Sequence, residues 1–373
     1  MASEEKHRIN GDPAALTFDR VLSELRRGRA VKILGGERAL LAAAVETMRA
    51  PLFARLIAAS NGQAVLLVTA ERAFAAGLSR QVGGPVAVVL PPDIDLDQVR
   101  SLAGVGGALT PARSVLNVDQ TPAIGPIAAA GFQIAKAGRL VPALVGFETS
   151  AVTEPGVLAI AIEDIEREVR FGHQSLKLVS RARVPLADAV DSEIALFRDE
   201  HGLAEHVAVL IGKPNPAEVV PVRLHSACLT GDLLGSLRCD CGEQLRTAVA
   251  RIGALGGGVL LYLDQEGRGI GLPNKLRAYQ LQDAGLDTVD ADQHLGFLAD
   301  ERSYDVAAAL LHELGIARIR LLTNNPQKIS ALRDHGIEVV GRVSLVATTN
   351  THNERYLRAK LERAGHLAEE SNG

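Results

Sequence analysis

Tryptophan is absent from the 373-residue chain, methionine occurs twice, and aromatic residues make up 3%. That scarcity leaves no rows of stacking platforms for single-stranded nucleic acid, and it leaves Ala, Val, Leu and Ile to build the core. A basic surplus is missing as well: 40 Lys and Arg face 44 Asp and Glu, a net charge of −4. General polyanion binders show the opposite balance, so no nucleic acid partner is expected, and any phosphate ligand needs a few placed cations. No stretch offers 18 uncharged apolar residues, which excludes a helical membrane span, and the opening MASEEKHRIN lacks the apolar run of a signal peptide. The expected setting is cytoplasmic, with no membrane partner. Cysteine is rare too, and three residues, an odd number, make a poor disulfide framework.

What the chain does contain is ordinary globular chemistry, 47% hydrophobic and 23% charged, at a length that suits two domains. Residues 1–170 hold 18 basic and 18 acidic side chains, leaving 22 against 26 for the rest, so the negative charge lies in the second half. Residues 16–30 have helical spacing, with Phe18, Val21, Leu22 and Leu25 on one face. The apolar runs AVKIL (30–34), AVLLVTA (64–70) and PVAVVLP (85–91) read as strands, with helical patterns between them. Strands alternating with helices indicate an α/β domain. A strand running into a charged helix (VLAIAIEDIEREVRFG) precedes a change of pattern, which places a boundary between domains 1–174 and 175–373. In the second domain two antiparallel strands come first (AVDSEIALFRDE, HVAVLIG), then the cysteine segment and a helix, then the strand GVLLYL (258–263). The helices LPNKLRAYQLQDAGL and SYDVAAALLHELGI, the strand RIRLLT (318–323) and a charged helix from Glu354 complete it. The fold class expected is α/β, mixed with α+β, in two domains.

All three cysteines fall in CLTGDLLGSLRCDCG, as Cys228, Cys239 and Cys241. Three thiolates near one point suit a borderline-soft tetrahedral cation such as zinc, and three protein ligands leave the fourth position to water or substrate. The bland reading is that free cysteines are buried hydrophobes. It predicts apolar neighbours, whereas Cys239 and Cys241 flank Asp240 beside Arg238 and Gly242. Directly after the strand ending at Leu263 comes DQEGRGIGLPNK, where Gly267, Gly269 and Gly271 alternate ahead of a helix. Such a turn can bring backbone N–H groups to an anion, although a plain tight turn would look the same. It is neither the dinucleotide fingerprint nor a Walker loop. Further on, GFLADERSY groups Asp300, Glu301 and Arg302, and LLTNNPQK ends a strand with Thr323 and Lys328, the usual location of ligand loops in α/β domains. Either cluster alone could be a solvated turn.

Taken together, HSACLTGDLLGSLRCDCGEQL, QEGRGIGLPNKLRAYQLQDAGLDTVDAD, LGFLADERSY and LLTNNPQKI resemble GTP cyclohydrolase II over roughly residues 176–368. The resemblance implies that GTP is hydrolysed to 2,5-diamino-6-(5-phosphoribosylamino)pyrimidin-4-one, formate and pyrophosphate, the first step of riboflavin biosynthesis. Cys228, Cys239 and Cys241 would hold one zinc per subunit. Arg302 matches the proposed nucleophile at the α-phosphate, a demanding role for a guanidinium that stays protonated, so phosphate clamping by Arg302 stays open. Asp300 matches the proton acceptor, and Tyr279 a tyrosine that carries the reaction past the formylated intermediate. Two positions apart, Asp300 and Arg302 would not share a helix face, which predicts a turn there. Arg223, His225, Gln244, Glu266, Gly267, Arg268, Thr288, Thr323 and Lys328 match GTP-contacting positions, with Mg2+ completing the charge balance on the phosphates. A homodimer is implied too.

The sequence departs from the pattern at Ala227, where Glu is frequent, at Asp264, where a basic residue often stands, and at Pro273, where Leu is usual. The first two alter charge beside the site. Residues 1–174 resemble, more weakly, 3,4-dihydroxy-2-butanone 4-phosphate synthase, in FDRVLSELRRGRAVKI, VLLVTAERAFAAGL and AKAGRLVPALVGFE. That enzyme needs an acidic loop after its first strand to hold magnesium, whereas LGGERALLAAAVE follows here with Glu37 as the only nearby acid, and GFQIA replaces the family's GHTEA. The implied reading is a synthase-like fold without synthase chemistry. Alternatives to the full GTP reaction are a cyclohydrolase stopping at the formamidopyrimidine and a zinc- and guanine-nucleotide-binding regulator without turnover.

Overall fold

A computed structural model describes residues 12–78, 83–106, 118–119, 124–152, 155–171, 176–199, 204–345 and 353. The chain forms a mixed α/β protein with two seven-stranded sheets. It divides into two compact units, Met1–Phe171 with Pro273–Asp300, and Gly172–Leu272 with Glu301–Gly373. The expected division at 174/175 and the charged helix from Glu354 lie outside the described residues. No helix among the described residues is long and apolar enough to cross a membrane.

The first unit's strands are β1 (Val31–Gly35), β2 (Arg38–Ala44), β3 (Val65–Val68), β4 (Val86–Val89), β5 (Val118–Asp119), β6 (Ala143–Ser150) and β7 (Ala159–Ala161). They lie in the order β5-β4-β3-β6-β2-β1-β7, and every neighbouring pair except β1 with β7 is antiparallel. Alternate side chains serve opposite faces. Ile33, Leu40, Leu67 and Leu144 meet α1 (Pro13–Arg26), while Ala43, Leu66 and Val145 meet α2 (Ala50–Ala59) and α3 (Ala70–Ala75). Helix α4 (Leu96–Leu102) joins the second face, and α5 (Gly125–Ala137) and α6 (Ile162–Phe171) the first. The stretch after β1, where the synthase likeness would need an acidic loop, is a tight hairpin: Gly35 pairs with Arg38 across Gly36 and Glu37.

The second unit's strands are β8 (Leu176–Arg183), β9 (Ser192–Asp199), β10 (Glu205–Ile211), β11 (Val220–Ser226), β12 (Gly258–Leu263), β13 (Arg318–Leu322) and β14 (Glu338–Val343), in the order β14-β13-β11-β12-β10-β9-β8. Half of this sheet, from β14 to β12, is parallel, and the other half is antiparallel. From β11 the chain moves to one side through α7 (Cys241–Ala254) and β12. It later returns to the other side at β13.

Two helices, α8 (Leu272–Asp283) and α9 (Thr288–His294), follow β12, and most of both belongs to the first unit. Helices α10 (Asp305–Glu313) and α11 (Pro326–Asp334) complete the second unit. Right-handed crossovers in opposite directions put α7 and α10 on opposite faces. Ala248 and Ile252 of α7 pack with Leu260, while Val306 and Leu310 of α10 pack with Leu261 and Leu224.

Candidate active site

Because β11, β12 and β13 run parallel, their C-terminal ends open along one edge of the sheet, the edge where open α/β sheets hold ligands. β11 leads to Cys228, β12 to residues 264–271 and β13 to residues 323–328.

Cys228 caps a π-helical turn, Leu229–Leu233, and its Sγ accepts from the Gly231 amide at 3.4 Å. Cys239 and Cys241 sit at the start of α7. The three sulfurs lie within 4.8 Å of one another, and those of Cys228 and Cys239 are 3.7 Å apart. Sulfurs bonded at 2.3 Å to a tetrahedral zinc stand about 3.8 Å apart, so the donor set and its spacing fit that ion. Two glycines permit this closeness. A Cβ on Gly231 would lie 2.8 Å from Cys239 Sγ and 3.1 Å from Cys228 Sγ, and one on Gly242 would lie 2.2 Å from the Gly231 carbonyl oxygen. The Cys239 thiol is pushed up, foremost by the sulfur of Cys228. Crowded thiols resist ionising together, and a bound cation reverses that preference.

A buried polar cluster backs the first cysteine. Asp232 Oδ2 accepts from the Cys228 amide and from the Tyr262 hydroxyl, each at 2.9 Å, and His225 Nε2 lies 3.1 Å from both carboxylate oxygens. The His225 ring stacks on Tyr262 with centroids 5.5 Å apart. Burial pushes the His225 pKa down and that of Tyr262 up, so both rings are neutral at pH 7 and each offers Asp232 one hydrogen. Asp232 stands in the motif GDLLG as an unremarkable turn residue. Only its place opposite Tyr262 reveals it.

The glycine loop is tied to its surroundings at three points. Glu266 Oε2 accepts from the Leu229 amide at 2.7 Å, the Arg268 carbonyl accepts from the Glu301 amide at 3.1 Å, and Gln265 Nε2 donates to the Ser303 carbonyl. Gly267 and Arg268 both take left-handed backbone angles, with φ of 63° and 61°. Asp300 and Arg302 lie in an irregular, non-helical stretch between α9 and α10. Arg302 and Lys328 stand 5.7 Å and 5.8 Å from the Tyr304 ring centroid. Lys328 donates to the Leu224 carbonyl at 2.8 Å, and Thr323 Oγ1 accepts from the Asn325 amide at 3.0 Å. Arg223 is buried, donates to Gln244 Oε1 (2.7 Å) and to the Leu322 carbonyl (3.0 Å), and is lowered to about 10, chiefly by desolvation. It remains a cation at neutral pH. Gln244 in turn donates to Asp240, the residue between the second and third cysteines.

Twelve of the expected residues thus belong to the second unit: the three cysteines, Arg223, His225, Gln244, Glu266, Gly267, Arg268, Arg302, Thr323 and Lys328. Tyr279 on α8, Thr288 on α9 and Asp300 belong to the first.

The family model of GTP cyclohydrolase II matches residues 177–344, which contain all of these positions. A GTP cyclohydrolase-2 of Azospirillum brasilense is 43% identical over 370 residues, covering 95% of each chain. The chain belongs to the GTP cyclohydrolase II family. That makes it a hydrolase by family, and the match to the Azospirillum relative extends over both units. A GTP cyclohydrolase-2 of Shewanella amazonensis is 50% identical over 196 residues, 52% of this chain and 95% of that relative, so a family member can be built from about half this length. A solved structure of RibBX, a two-domain 3,4-dihydroxy-2-butanone 4-phosphate synthase from A. baumannii, aligns over 89% of this chain and 99% of its own at 16% identity. Its TM-score of 0.31 is too low to argue from.

Proposed function

We propose that the chain hydrolyses GTP to 2,5-diamino-6-(5-phosphoribosylamino)pyrimidin-4-one, formate and pyrophosphate, the opening reaction of riboflavin biosynthesis, with zinc held by Cys228, Cys239 and Cys241. One observation carries this reading: a group of three converging cysteine sulfurs beyond the end of β11 shares its sheet edge with loops that bear Arg268 and Lys328. Zinc bound there would supply water activated at neutral pH, through its Lewis acidity.

The chain's own residues account for recognition. Arg302 and Lys328, gathered around Tyr304, and Arg268 on the glycine loop supply the placed cations that a triphosphate needs in a chain of net negative charge, with Mg2+ completing the neutralisation. Glu266 and Gln244 fix the geometry around them through the Leu229 amide and Arg223. Arg302 either clamps the α-phosphate or attacks it, and a guanylyl adduct sought by mass spectrometry of quenched enzyme separates the two. Asp300 as proton acceptor and Tyr279 as promoter of the complete reaction keep the roles that the resemblance gives them. The N-terminal domain of 1–174 carries no synthase activity in this reading, and the working form is a cytoplasmic homodimer.

The test is a GTP turnover assay of the zinc-loaded protein with Mg2+, with mass spectrometry of the products. Formate, pyrophosphate and the diaminopyrimidine are expected together, and Cys239→Ser is expected to lose ring opening. A wild-type protein that keeps its zinc and releases no formate sinks the proposal, and a formylated product selects the early-stopping reaction. Ribulose 5-phosphate, tested in parallel, is expected to stay unchanged.

A further inference from the structure

Residues 273–300 carry Tyr279, Thr288 and Asp300, yet they pack as part of the first unit, and what holds them is specific. Arg72 on α3 is 1% exposed, and its guanidinium is shared among three backbone carbonyls. Nε donates to Leu102 (2.8 Å), Nη2 to Ser101 (2.9 Å) and Nη1 to His294 (2.8 Å). Ser101 and Leu102 close α4, and His294 closes α9. The last carbonyls of a helix lack partners within it and carry negative partial charge. A single buried cation therefore caps two helices that are distant in sequence.

Thr69, the N-cap of α3, adds a hydroxyl bond to the Gly296 carbonyl at 2.9 Å, just beyond α9. Helix α8 is held separately. Glu46 accepts from Arg277 Nη2 at 2.9 Å and from the Val141 amide at 2.8 Å, and the fully buried Asn274 donates to the Arg139 carbonyl at 3.1 Å. Close backbone approach seals the arrangement: a Cβ on Gly104 would lie 2.9 Å from the His294 carbonyl oxygen.

We propose that the first unit is a holding frame for residues 273–300, with Arg72 positioning α9 and Glu46 positioning α8, and that it contributes to the GTP reaction in this way. The contribution to turnover rests on the function proposed above; the holding itself does not. The first unit then has a task of its own in the GTP reaction, performed through Arg72 and Glu46.

Hydrogen exchange of the full-length, zinc-loaded protein tests this together with steady-state kinetics. In Arg72→Ala, amides of residues 288–297 are expected to exchange about tenfold faster or more, while β12 keeps its wild-type rates and zinc content is unchanged. kcat for GTP is expected to fall about tenfold, by more than any change in KM. Arg72→Lys should recover part of both effects, since an ammonium is a point donor that reaches fewer carbonyls than a planar fork. If Arg72→Ala does not fold, Arg277→Ala at the half-buried pair is read instead on residues 273–283. Unchanged protection of the segment in the variant that is read overturns the holding frame. Faster exchange with unchanged turnover overturns its part in the reaction. A wild-type protein inert towards GTP removes the function proposed above, and the exchange data still decide the holding.

Discussion

The two units use the same material, a seven-stranded sheet covered by helices, yet only one of them gathers the cysteines and glycine loop at a sheet edge, and strand direction explains the difference. In the second unit β11, β12, β13 and β14 are parallel, so successive chain exits fall on one edge and three of them can converge. In the first unit all but one of the pairings are antiparallel, which sends successive connections to opposite ends of the sheet. Its β1–β2 connection is reduced to a tight turn. Parallel order concentrates loops, and antiparallel order disperses them.

The largest expected effect that sharpens this contrast is at Gly231. An added methyl would press on two cysteine sulfurs at 2.8 Å and 3.1 Å, so Gly231→Ala should abolish stoichiometric zinc binding and GTP turnover. The first unit's hydrogen-exchange pattern should not change. Zinc retained at one equivalent would refute the packing argument. Next comes Asp232→Ala, which removes the acceptor of the Cys228 amide and Tyr262. Zinc affinity measured by chelator competition should fall about 10- to 100-fold, and affinity equal to wild type would show that the cluster does not support the metal site. The converse substitution, Leu144→Ala in the fully buried core of the first unit, should cost about 2–5 kcal/mol in that unit's unfolding. Zinc content should remain intact, and a loss of zinc would break the division of labour.

The smallest effect lies at the exposed Arg181 and Glu193 pair. A hydrogen bond from the guanidinium holds the Glu193 carboxyl below its ordinary value. Its contribution is present above the ordinary carboxylate range and disappears as pH falls through the lowered value. Glu193→Gln should therefore lower stability slightly at neutral pH, leave it unchanged at pH below the lowered value, and so flatten the curve between them. A loss of stability at acid pH with none at neutral pH would contradict this assignment.

Much of this was legible in the residues, because the signals were local. GVLLYL is an apolar run and RIRLL starts with alternating charged and apolar residues; both are bounded by breakers, and they form β12 and β13. The clustered cysteines and the glycine loop announced themselves by spacing. RALLAAA gave no strand signal, since Ala and Leu favour helices. It nevertheless forms β2, where burial between two neighbouring strands overrides propensity. Asp232 and Tyr262 were hidden for a different reason: each is an ordinary residue in an ordinary place until the fold brings its partners across 7 or 30 positions. The packing of residues 273–300 with the first unit was equally invisible, for it depends on Arg72 and Glu46, more than 200 residues away.

One consequence follows from the backbone of Arg268. Its left-handed angles strain any residue with a Cβ by about 1–2 kcal/mol, and glycine would adopt them freely. At this position, then, stability and charge compete. Arg268→Gly would make a more durable protein with one cation fewer on the glycine loop, so under the function proposed above the loop gives up part of the fold's durability for one of the few placed positive charges in a chain of net charge −4.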